Sequence, residues 1–116
     1  MKKQEIIKKK IALTDEAREF LFSLPEDIHE QFTMICRRLE KDGFLVSPYG
    51  EKVEGYDNLF AIRIVSGDNV RFFYFYVVDS IRIWVLNGYT KKKKKIPKNE
   101  ILKALAIKQR LEAENE

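Results

Sequence analysis

The sequence is poor in the residues that build cross-links and metal sites. Its 116 residues include one cysteine and one histidine. A single cysteine excludes an internal disulfide and is typical of a reducing compartment, so we expect a cytoplasmic protein. The same count excludes a zinc site built from cysteine and histidine, and we expect no metal and no other cofactor.

Long apolar runs and the common catalytic motifs are also missing. No stretch approaches the roughly 20 apolar residues of a membrane-spanning helix, and the start MKKQEIIKKK lacks the apolar centre of a signal peptide. We find no P-loop, no dinucleotide-binding fingerprint and no Ser/His/Asp or Cys/His pair. The one histidine, His29, falls on the polar side of a predicted helix. Any nuclease chemistry would therefore depend on lysine, arginine, tyrosine or glutamate.

The first half of the chain has helical periodicity. Hydrophobic residues make up 45% of the sequence, which is enough for residues 1–116 to form one domain with its own core. After a short first strand within Glu5 to Leu13, Thr14 suits the N-cap of a helix. The apolar residues that share one face of this helix are Ala17, Phe20, Leu21 and Leu24. Pro25 ends the helix and opens a second one that runs to Gly43, so we expect a helical hairpin.

The second half is rich in β-branched and aromatic residues. The segments NLFAIRIV (Asn58 to Val65), NVRFFYFYVV (Asn69 to Val78) and SIRIWVLN (Ser80 to Asn87) predict a three-strand meander, with turns at SGDN and DS. Each strand is apolar on both faces, which favours a sheet covered by helices. A last helix begins after Pro97, with a stripe formed by Ile101, Ala104, Leu105 and Leu111. The predicted class is α+β: a first strand and a helical hairpin packed on a small antiparallel sheet, then a C-terminal helix.

Two arginines share strand faces with apolar residues. Alternation places Arg63 with Leu59 and Ala61, and Arg71 with Phe73 and Phe75. A guanidinium in that setting needs a partner, because an unpaired charge there is costly. One interpretation is a structural arginine bonded to a carboxylate or carbonyl; the other is an arginine that grips a phosphate with two hydrogen bonds.

The basic charge of the chain is concentrated in one run. The formal net charge of +4 would become −1 without Lys91 to Lys95, and the chain ends in the acidic EAENE. This run has three interpretations: a solvated loop, a nuclear-import signal, or a loop that binds phosphate groups of a nucleic acid. Its position favours the third, because it directly follows a strand whose neighbour carries Arg71.

The order of these segments resembles bacterial type II toxins of the RelE/ParE superfamily, most closely the HigB-like, phage-derived (Gp49-like) group. The similarity extends from about Ile6 to Leu111. The segments that carry it are AREFLFSLP (Ala17 to Pro25), LEKDG (Leu39 to Gly43), Pro48, LFAIRI (Leu59 to Ile64), VRFFYFY (Val70 to Tyr76) and LNGYTKKKKKIPKNEI (Leu86 to Ile101).

The resemblance implies a RelE-like fold and a toxin that a cognate antitoxin neutralises, expected to be a helix-turn-helix HigA-like protein in an oligomeric complex. It also implies a metal-independent endoribonuclease that cuts mRNA on the ribosome, by attack of a ribose 2′-OH on the adjacent phosphate, and so inhibits translation. Arg71, Arg63 and Lys92 match the positions expected to be catalytic. The positions expected to bind RNA are Lys52, Lys91, Lys93, Lys94 and Lys95.

This chain departs from RelE-type relatives at positions to which their acid/base chemistry is assigned. RelE-type relatives carry two strand lysines where Leu59 and Ala61 stand here, and a tyrosine in the C-terminal segment, whereas this chain has none beyond Tyr89. Either Lys92 or another lysine of the run would then act as the base or phosphate anchor. The alternative functions are inhibition of DNA gyrase, as in ParE-like members, and a non-catalytic protein that only binds an antitoxin or nucleic acid.

Overall fold

The computed structural model of the chain describes residues 8–65, 69–78, 80–92 and 94–114. β1 (Lys10–Leu13) leads into α1 (Asp15–Phe22) and α2 (Glu26–Asp42). Four further strands follow: β2 (Gly50–Lys52), β3 (Phe60–Ile64), β4 (Val70–Tyr76) and β5 (Arg82–Thr90). The chain then forms α3 (Lys98–Glu114). None of these helices combines the length and apolar composition needed to cross a membrane.

The predicted helix boundaries are confirmed by the caps. Thr14 has extended backbone angles, and its Oγ1 accepts a hydrogen bond of 3.1 Å from the backbone N–H of Ala17. Pro25 stands immediately before α2. Gly43 ends α2 with φ of 83°, where its N–H donates to the Leu39 carbonyl at 2.8 Å. A glycine tolerates this left-handed conformation because it has no Cβ.

The predicted α+β class is confirmed, but the sheet has more strands and a different pairing than expected. The described residues form a sheet of five strands in the order β1-β5-β4-β3-β2. β2 was not predicted, because three residues are too few to show a period of two. β1 pairs with β5 in parallel, so the sheet is mixed rather than antiparallel. The predicted turn SGDN lies mostly outside the described residues (66–68), as does position 79 of the DS turn.

Helices cover both faces of the sheet, as the apolar composition of the strands predicted. On one face, Val70, Phe72 and Tyr74 of β4 pack in a cluster with α1 and α2. On the other face, Phe73 and Phe75 pack against α3. The buried residues of α3 are Ile101, Ala104, Ile107 and Leu111, while the predicted Leu105 is half-buried at the edge of this cluster. The alternation of β4 therefore places Arg71 on the α3 face, with Phe73.

The outer edge of β1 is bonded to α2. The backbone N–H of Ile11 donates to Oε2 of Glu40 at 2.9 Å, and the N–H of Lys9 donates to the Glu40 carbonyl at 2.9 Å. These bonds occupy donors that would otherwise be free to pair with another chain. The other edge of the sheet is the short strand β2, next to which the candidate site lies.

Candidate functional site

Arg63 and Arg71 lie directly opposite each other on neighbouring strands. They are a registered pair of β3 and β4, and Tyr89 of β5 is paired with Arg71 on its other side. Like charges directly opposite each other in an antiparallel pair destabilise a sheet. The sheet therefore holds two guanidinium groups together at an energetic cost, on the face that also carries α3.

Arg71 is a buried arginine with a carboxylate partner. Its side chain is 2% exposed, and its Nε donates to Oε1 of Glu51 at 3.1 Å. Its Nη1 also donates to the Val70 carbonyl at 3.4 Å. Glu51 belongs to β2, whose register places Glu51 opposite Ala61, two residues from Arg63 on the same face. The Arg71 charge is thus compensated, as expected of a structural arginine, while its guanidinium still lines a pocket.

Arg63 is less completely partnered. It is half-buried, and its Nε is shielded from solvent without a hydrogen-bond partner among the described residues. Leaving a buried donor unpaired costs about 1–3 kcal/mol, and more when the group is charged. An anion bound beside Arg63 would remove this cost.

The lysine run closes the other side of the same pocket. A depression of about 310 Å³ is lined by Arg63, Asn69, Arg71, Lys91, Lys92 and Lys94. The backbone N–H of Lys91 donates to the Asn69 carbonyl at 2.9 Å, which fixes the start of the run beside β4. The structure therefore brings together both predicted arginines and three of the predicted lysines. The predicted Lys93 lies outside the described residues.

A second depression continues the basic surface towards α3. It has a volume of about 360 Å³, shares Lys92 with the first, and is also lined by Lys95, Asn99 and Glu100. Tyr89 forms its buried wall and stacks on Phe73, with ring centroids 5.6 Å apart. Burial raises the pKa of the Tyr89 hydroxyl to about 12, although the nearby Arg71 charge acts in the opposite direction. Tyr89 is therefore neutral at physiological pH.

Lys52 is not brought into this site. It follows Glu51 on β2, so alternation turns its side chain to the opposite face of the sheet. Its Nζ donates to the Tyr56 carbonyl at 2.8 Å and lies 5.9 Å from the centroid of the Phe60 ring. Phe60 packs in the cluster under α1 and α2, which confirms that Lys52 lies away from the arginine pair.

Sequence reasoning missed two members of the site, Glu51 and Asn69. Glu51 stood in a segment with no strand periodicity, so only the three-dimensional pairing of β2 with β3 shows that it reaches Arg71. Asn69 was assigned to a hairpin turn and not considered as part of the pocket. Neither the one cysteine nor the one histidine is near the pocket lining.

The chemistry of the pocket is that of an anion site. Five cationic side chains line it or its rim: Arg63, Arg71, Lys91, Lys92 and Lys94. The carboxylate in contact with them is Glu51, through Arg71. Planar guanidinium groups and mobile ammonium groups together suit a phosphate, especially one whose charge increases during a reaction. Within the described part of the chain, no group of three or more His, Cys, Asp and Glu side chains is placed to hold a metal ion.

The fold is shared with solved RelE structures. The chain superposes on a double-arginine mutant of the E. coli toxin RelE in the free state with a TM-score of 0.67, 12% identity, and coverage of 85% of this chain and 96% of that one. For the RelE-RelB complex of Pyrococcus horikoshii OT3 the TM-score is 0.60, with 21% identity and coverage of 74% and 98%. For the toxin-antitoxin complex RelBE2 of Mycobacterium tuberculosis the TM-score is 0.56, with 17% identity and coverage of 73% and 100%.

Sequence comparison identifies the family directly. No curated protein matches the chain. The family model described as phage-derived protein Gp49-like matches residues 19–109, which include both arginines and the whole lysine run. The family expected from the sequence is thereby confirmed: the chain belongs to the phage-derived Gp49-like family and has the RelE fold.

Proposed function

We propose that the chain is the toxin of a type II toxin-antitoxin system and that it cleaves mRNA on the translating ribosome. The observation that carries the proposal is the pair of opposed arginines, Arg63 and Arg71, at a pocket completed by the lysine run. Glu51 compensates Arg71, but the buried Nε of Arg63 has no hydrogen-bond partner among the described residues, so an anion bound beside Arg63 would stabilise the pair. A phosphodiester would be that anion.

The proposed reaction is transfer within the RNA strand. The ribose 2′-OH attacks the adjacent phosphorus, the bond from phosphorus to the 5′ oxygen breaks, and the products are a 2′,3′-cyclic phosphate and a 5′-hydroxyl. Arg63 and Arg71 would stabilise the negative charge that increases on the phosphoryl oxygens. In this scheme no metal takes part.

The proton of the 2′-OH needs an acceptor, and a proton must reach the leaving 5′ oxygen. Lys92 lines both depressions and would hold the phosphate or transfer a proton. Glu51 is the carboxylate nearest the arginine pair that the structure describes, and 35% of its side chain is exposed. A carboxylate held in place by Arg71 would serve as the proton acceptor, because its position relative to the phosphate is fixed.

The remaining lysines would bind the RNA backbone. Lys91 and Lys94 line the arginine pocket, and Lys95 lines the adjoining depression. Lys93 would belong to the same surface by its place in the run, and Lys52 would contact RNA only outside the pocket. Affinity that depends on several ammonium-phosphate contacts falls steeply with salt concentration.

The proposed partners are an antitoxin, the ribosome and its mRNA. Two of the solved relatives are described as complexes of RelE with RelB or as a toxin-antitoxin complex. By analogy, a cognate antitoxin would bind this chain in an oligomeric complex, and we expect a helix-turn-helix protein of the HigA type. Both proteins would act in the cytoplasm.

Induced expression in bacteria tests the function. Growth should stop, new mRNA 5′ ends should appear within translated regions, and co-expression of the product of the neighbouring gene should restore growth. Arg63→Gln should abolish the new ends. Arg82→Gln is the matched control, because Arg82 is an exposed arginine on the adjacent strand that lies over the Trp84 ring. Growth arrest with intact mRNA and trapped gyrase-DNA complexes would instead identify a ParE-like activity, and absence of toxicity would contradict both.

A further inference from the structure

A cleft between α1 and α3, beside β5, is a second candidate binding site. It consists of two adjoining depressions, of about 660 Å³ and about 570 Å³, whose linings share Glu16 and Glu19 of α1. Asn87 lines the larger depression and Trp84 lines the smaller one. We name this surface, marked by these four residues, the α1–α3 cleft. The two opposed arginines line a different pocket, so the cleft is separate from the proposed RNA site.

Asn87 is a buried amide that lacks hydrogen-bond partners. The residue is 6% exposed, and neither its Nδ2 nor its Oδ1 is hydrogen-bonded to any residue that the structure describes. Its register with Phe73 of β4 turns the side chain to the α3 face, where it lines the cleft together with Lys103. The Lys103 side chain is 65% exposed and can rotate aside. Because buried amides are nearly always hydrogen-bonded, Asn87 indicates a ligand that supplies the missing bonds.

The two polar atoms of this amide need different partners. Oδ1 accepts hydrogen bonds, whereas Nδ2 donates them. A metal ion or a polyamine would bind Oδ1 alone, because neither provides an acceptor for Nδ2. A peptide provides both, since the N–H and the C=O of one residue in an extended chain face the same neighbour. The hydrogen-bonding capacity of Asn87 therefore favours an extended peptide over a simple cation.

The charge of the cleft is mostly negative. Its linings contain five carboxylates and two cations, which are Asp15, Glu16, Glu19, Glu100, Glu114, Lys103 and Arg110. Both cations are already paired within the cleft, Arg110 with Glu16 at 2.9 Å and Lys103 with Glu100 at 3.7 Å. Glu19 and Glu114 form no salt bridge with a described residue. These two carboxylates complement cationic groups on a ligand and repel the phosphates of a nucleic acid.

The other charged residues nearby lie outside both linings. On the two helices and on β5 they are Arg18, Arg82, Lys98, Lys108 and Glu112. Arg18 pairs with Asp15 at 3.8 Å, and Arg82 lies over the Trp84 ring. The end of the lysine run adjoins the cleft only beyond Glu100, in the depression next to the arginine pocket. The surplus of carboxylates is thus confined to the cleft itself.

We propose that the α1–α3 cleft binds an extended basic segment of a partner protein. One residue of the segment would exchange two hydrogen bonds with the Asn87 amide. Lysine or arginine side chains on either side would contact Glu19 and Glu114, while their apolar stems would pack on Phe20 and Ile107 of the lining. This surface takes no part in the proposed RNA cleavage, so its test does not depend on nuclease activity.

A second copy of this chain is a poor occupant. The basic half of α2, residues 37–41, is helical, so its peptide groups are hydrogen-bonded within the helix. The lysine run is not extended, because the chain bends at Lys94 and Lys95 as it turns towards α3. The edge strand β2 is extended, but the ammonium of its one lysine, Lys52, is bonded to the Tyr56 carbonyl. The acidic α1 of a second copy would be repelled by the carboxylates of the cleft.

Fluorescence of Trp84, the one tryptophan of the chain, provides a direct test. The probe is a capped peptide of about nine residues in which lysine alternates with threonine. One control peptide has glutamate for lysine, and a second has N-methyl groups on its central peptide bonds, which removes the donors to Oδ1 of Asn87. The basic peptide should change the Trp84 emission saturably, and the acidic peptide should not. The N-methylated peptide should bind about tenfold more weakly, the loss expected for one hydrogen bond.

Asn87→Leu distinguishes a binding amide from a structural one. It removes a buried amide that lacks partners in the free chain, so the urea midpoint should stay unchanged or rise, while the affinity for the basic peptide should fall by about tenfold. Glu19→Gln, at an exposed position, should weaken the peptide by about two- to fivefold. Glu30→Gln is the matched control, because Glu30 is an exposed glutamate on α2, and it should leave the affinity unchanged.

Several results would overturn the proposal. These are no change of Trp84 emission with the basic peptide, equal affinity for the N-methylated peptide, a lower urea midpoint for Asn87→Leu, or equal losses from Glu19→Gln and Glu30→Gln. Binding of spermidine with the affinity of the basic peptide would make the cleft a polyamine site. A change of Trp84 emission with protein concentration alone would make it a contact between copies of the chain.

Discussion

The ion pair between Arg71 and Glu51 gives the sharpest prediction about stability. Arg71 is 2% exposed, so its charge is compensated mainly by the Glu51 carboxylate 3.1 Å away. Breaking a buried pair by removing one member costs about 3–5 kcal/mol. Glu51 is 35% exposed, and water partly screens its charge, so we expect Glu51→Gln to cost about 2–3 kcal/mol.

The reverse substitution should be milder. Arg71→Met removes the buried charge and fills most of the same volume, while Glu51 is left able to turn towards water. We expect a cost of about 1 kcal/mol or less, because the Glu51 carboxylate left behind is 35% exposed and can be hydrated, unlike an orphaned buried charge. The double variant Glu51→Gln/Arg71→Met should then be no less stable than Arg71→Met alone, because the orphaned guanidinium is gone.

Urea denaturation followed by circular dichroism measures these differences. With a slope of about 1–3 kcal/mol per molar, a loss of about 2–3 kcal/mol should lower the midpoint for Glu51→Gln by about 0.7–3 M. If Glu51→Gln changed the free energy of unfolding by less than about 0.5 kcal/mol, as a neutral surface substitution does, the carboxylate would not be compensating Arg71. Additive costs in the double variant would contradict the coupling between the two residues.

Three further predictions concern packing, the β1 edge and pH. Gly88→Ala should destabilise the chain by about 1–3 kcal/mol in urea denaturation, because a Cβ there would lie 2.4 Å from Cδ2 of the Phe20 ring. Gly55→Ala is the control for backbone strain, because its φ is 85° but its Cβ would meet nothing within 4 Å. Glu40→Ala should cost about 1 kcal/mol by the same measurement because the Ile11 N–H loses its acceptor, whereas Glu40→Gln should cost less; equal losses would exclude the hydrogen bond as the cause. Burial raises the pKa of the Cys36 thiol and of the Tyr89 hydroxyl to about 12 each, above the ordinary values of 9 and 10. The neutral form of each group favours the folded state, fully so below the pKa that the group has in the unfolded chain, and this stabilisation is lost as the pH rises from 9 to 12. The melting temperature should therefore fall over that range. Cys36→Ala should shift the start of the fall towards pH 10.

Local sequence signals were sufficient to predict the helices and the positions of the arginines. Thr14 and Gly43 mark helix ends through interactions within a few residues of themselves. The period of two predicted that Arg63 shares a face with Ala61, and Arg71 with Phe73; that the two arginines lie opposite each other depends on the register of β3 and β4 and was not predicted. These features depend on contacts between near neighbours, which a sequence displays directly.

Features that depend on distant pairing could not be read from the sequence. The parallel pairing of β1 with β5 joins residues about seventy positions apart, as in Lys10 with Arg82. The three-residue strand β2 becomes a strand only because β3 lies beside it, and this pairing brings Glu51 to Arg71. The same pairing turns Lys52 away from the pocket, since neighbouring residues of a strand face opposite sides. A site assembled across a sheet edge is therefore only partly visible in sequence.

The lysine run is a second feature whose charge, but not whose arrangement, could be predicted from the sequence. Its charge was evident, but only the structure shows which lysines line the arginine pocket. Lys91 and Lys92 were matched by resemblance, and Lys94 joins them in the pocket lining. Lys95 faces the adjoining depression instead. The run is divided between two depressions because the chain turns between β5 and α3, and the composition of the run does not predict the path of this turn.

Cleavage of a defined mRNA on purified ribosomes tests the central claim most directly. With primer extension as the readout, the chain should cut ribosome-bound mRNA, leave free mRNA intact, and produce 5′-hydroxyl ends. Arg63→Gln should slow cleavage by about 100-fold or more, the loss typical of removing one donor to a developing negative charge, while Arg82→Gln should cleave at the parent rate. Undiminished cleavage by Arg63→Gln, or no cleavage of ribosome-bound mRNA by the parent chain, would contradict the account.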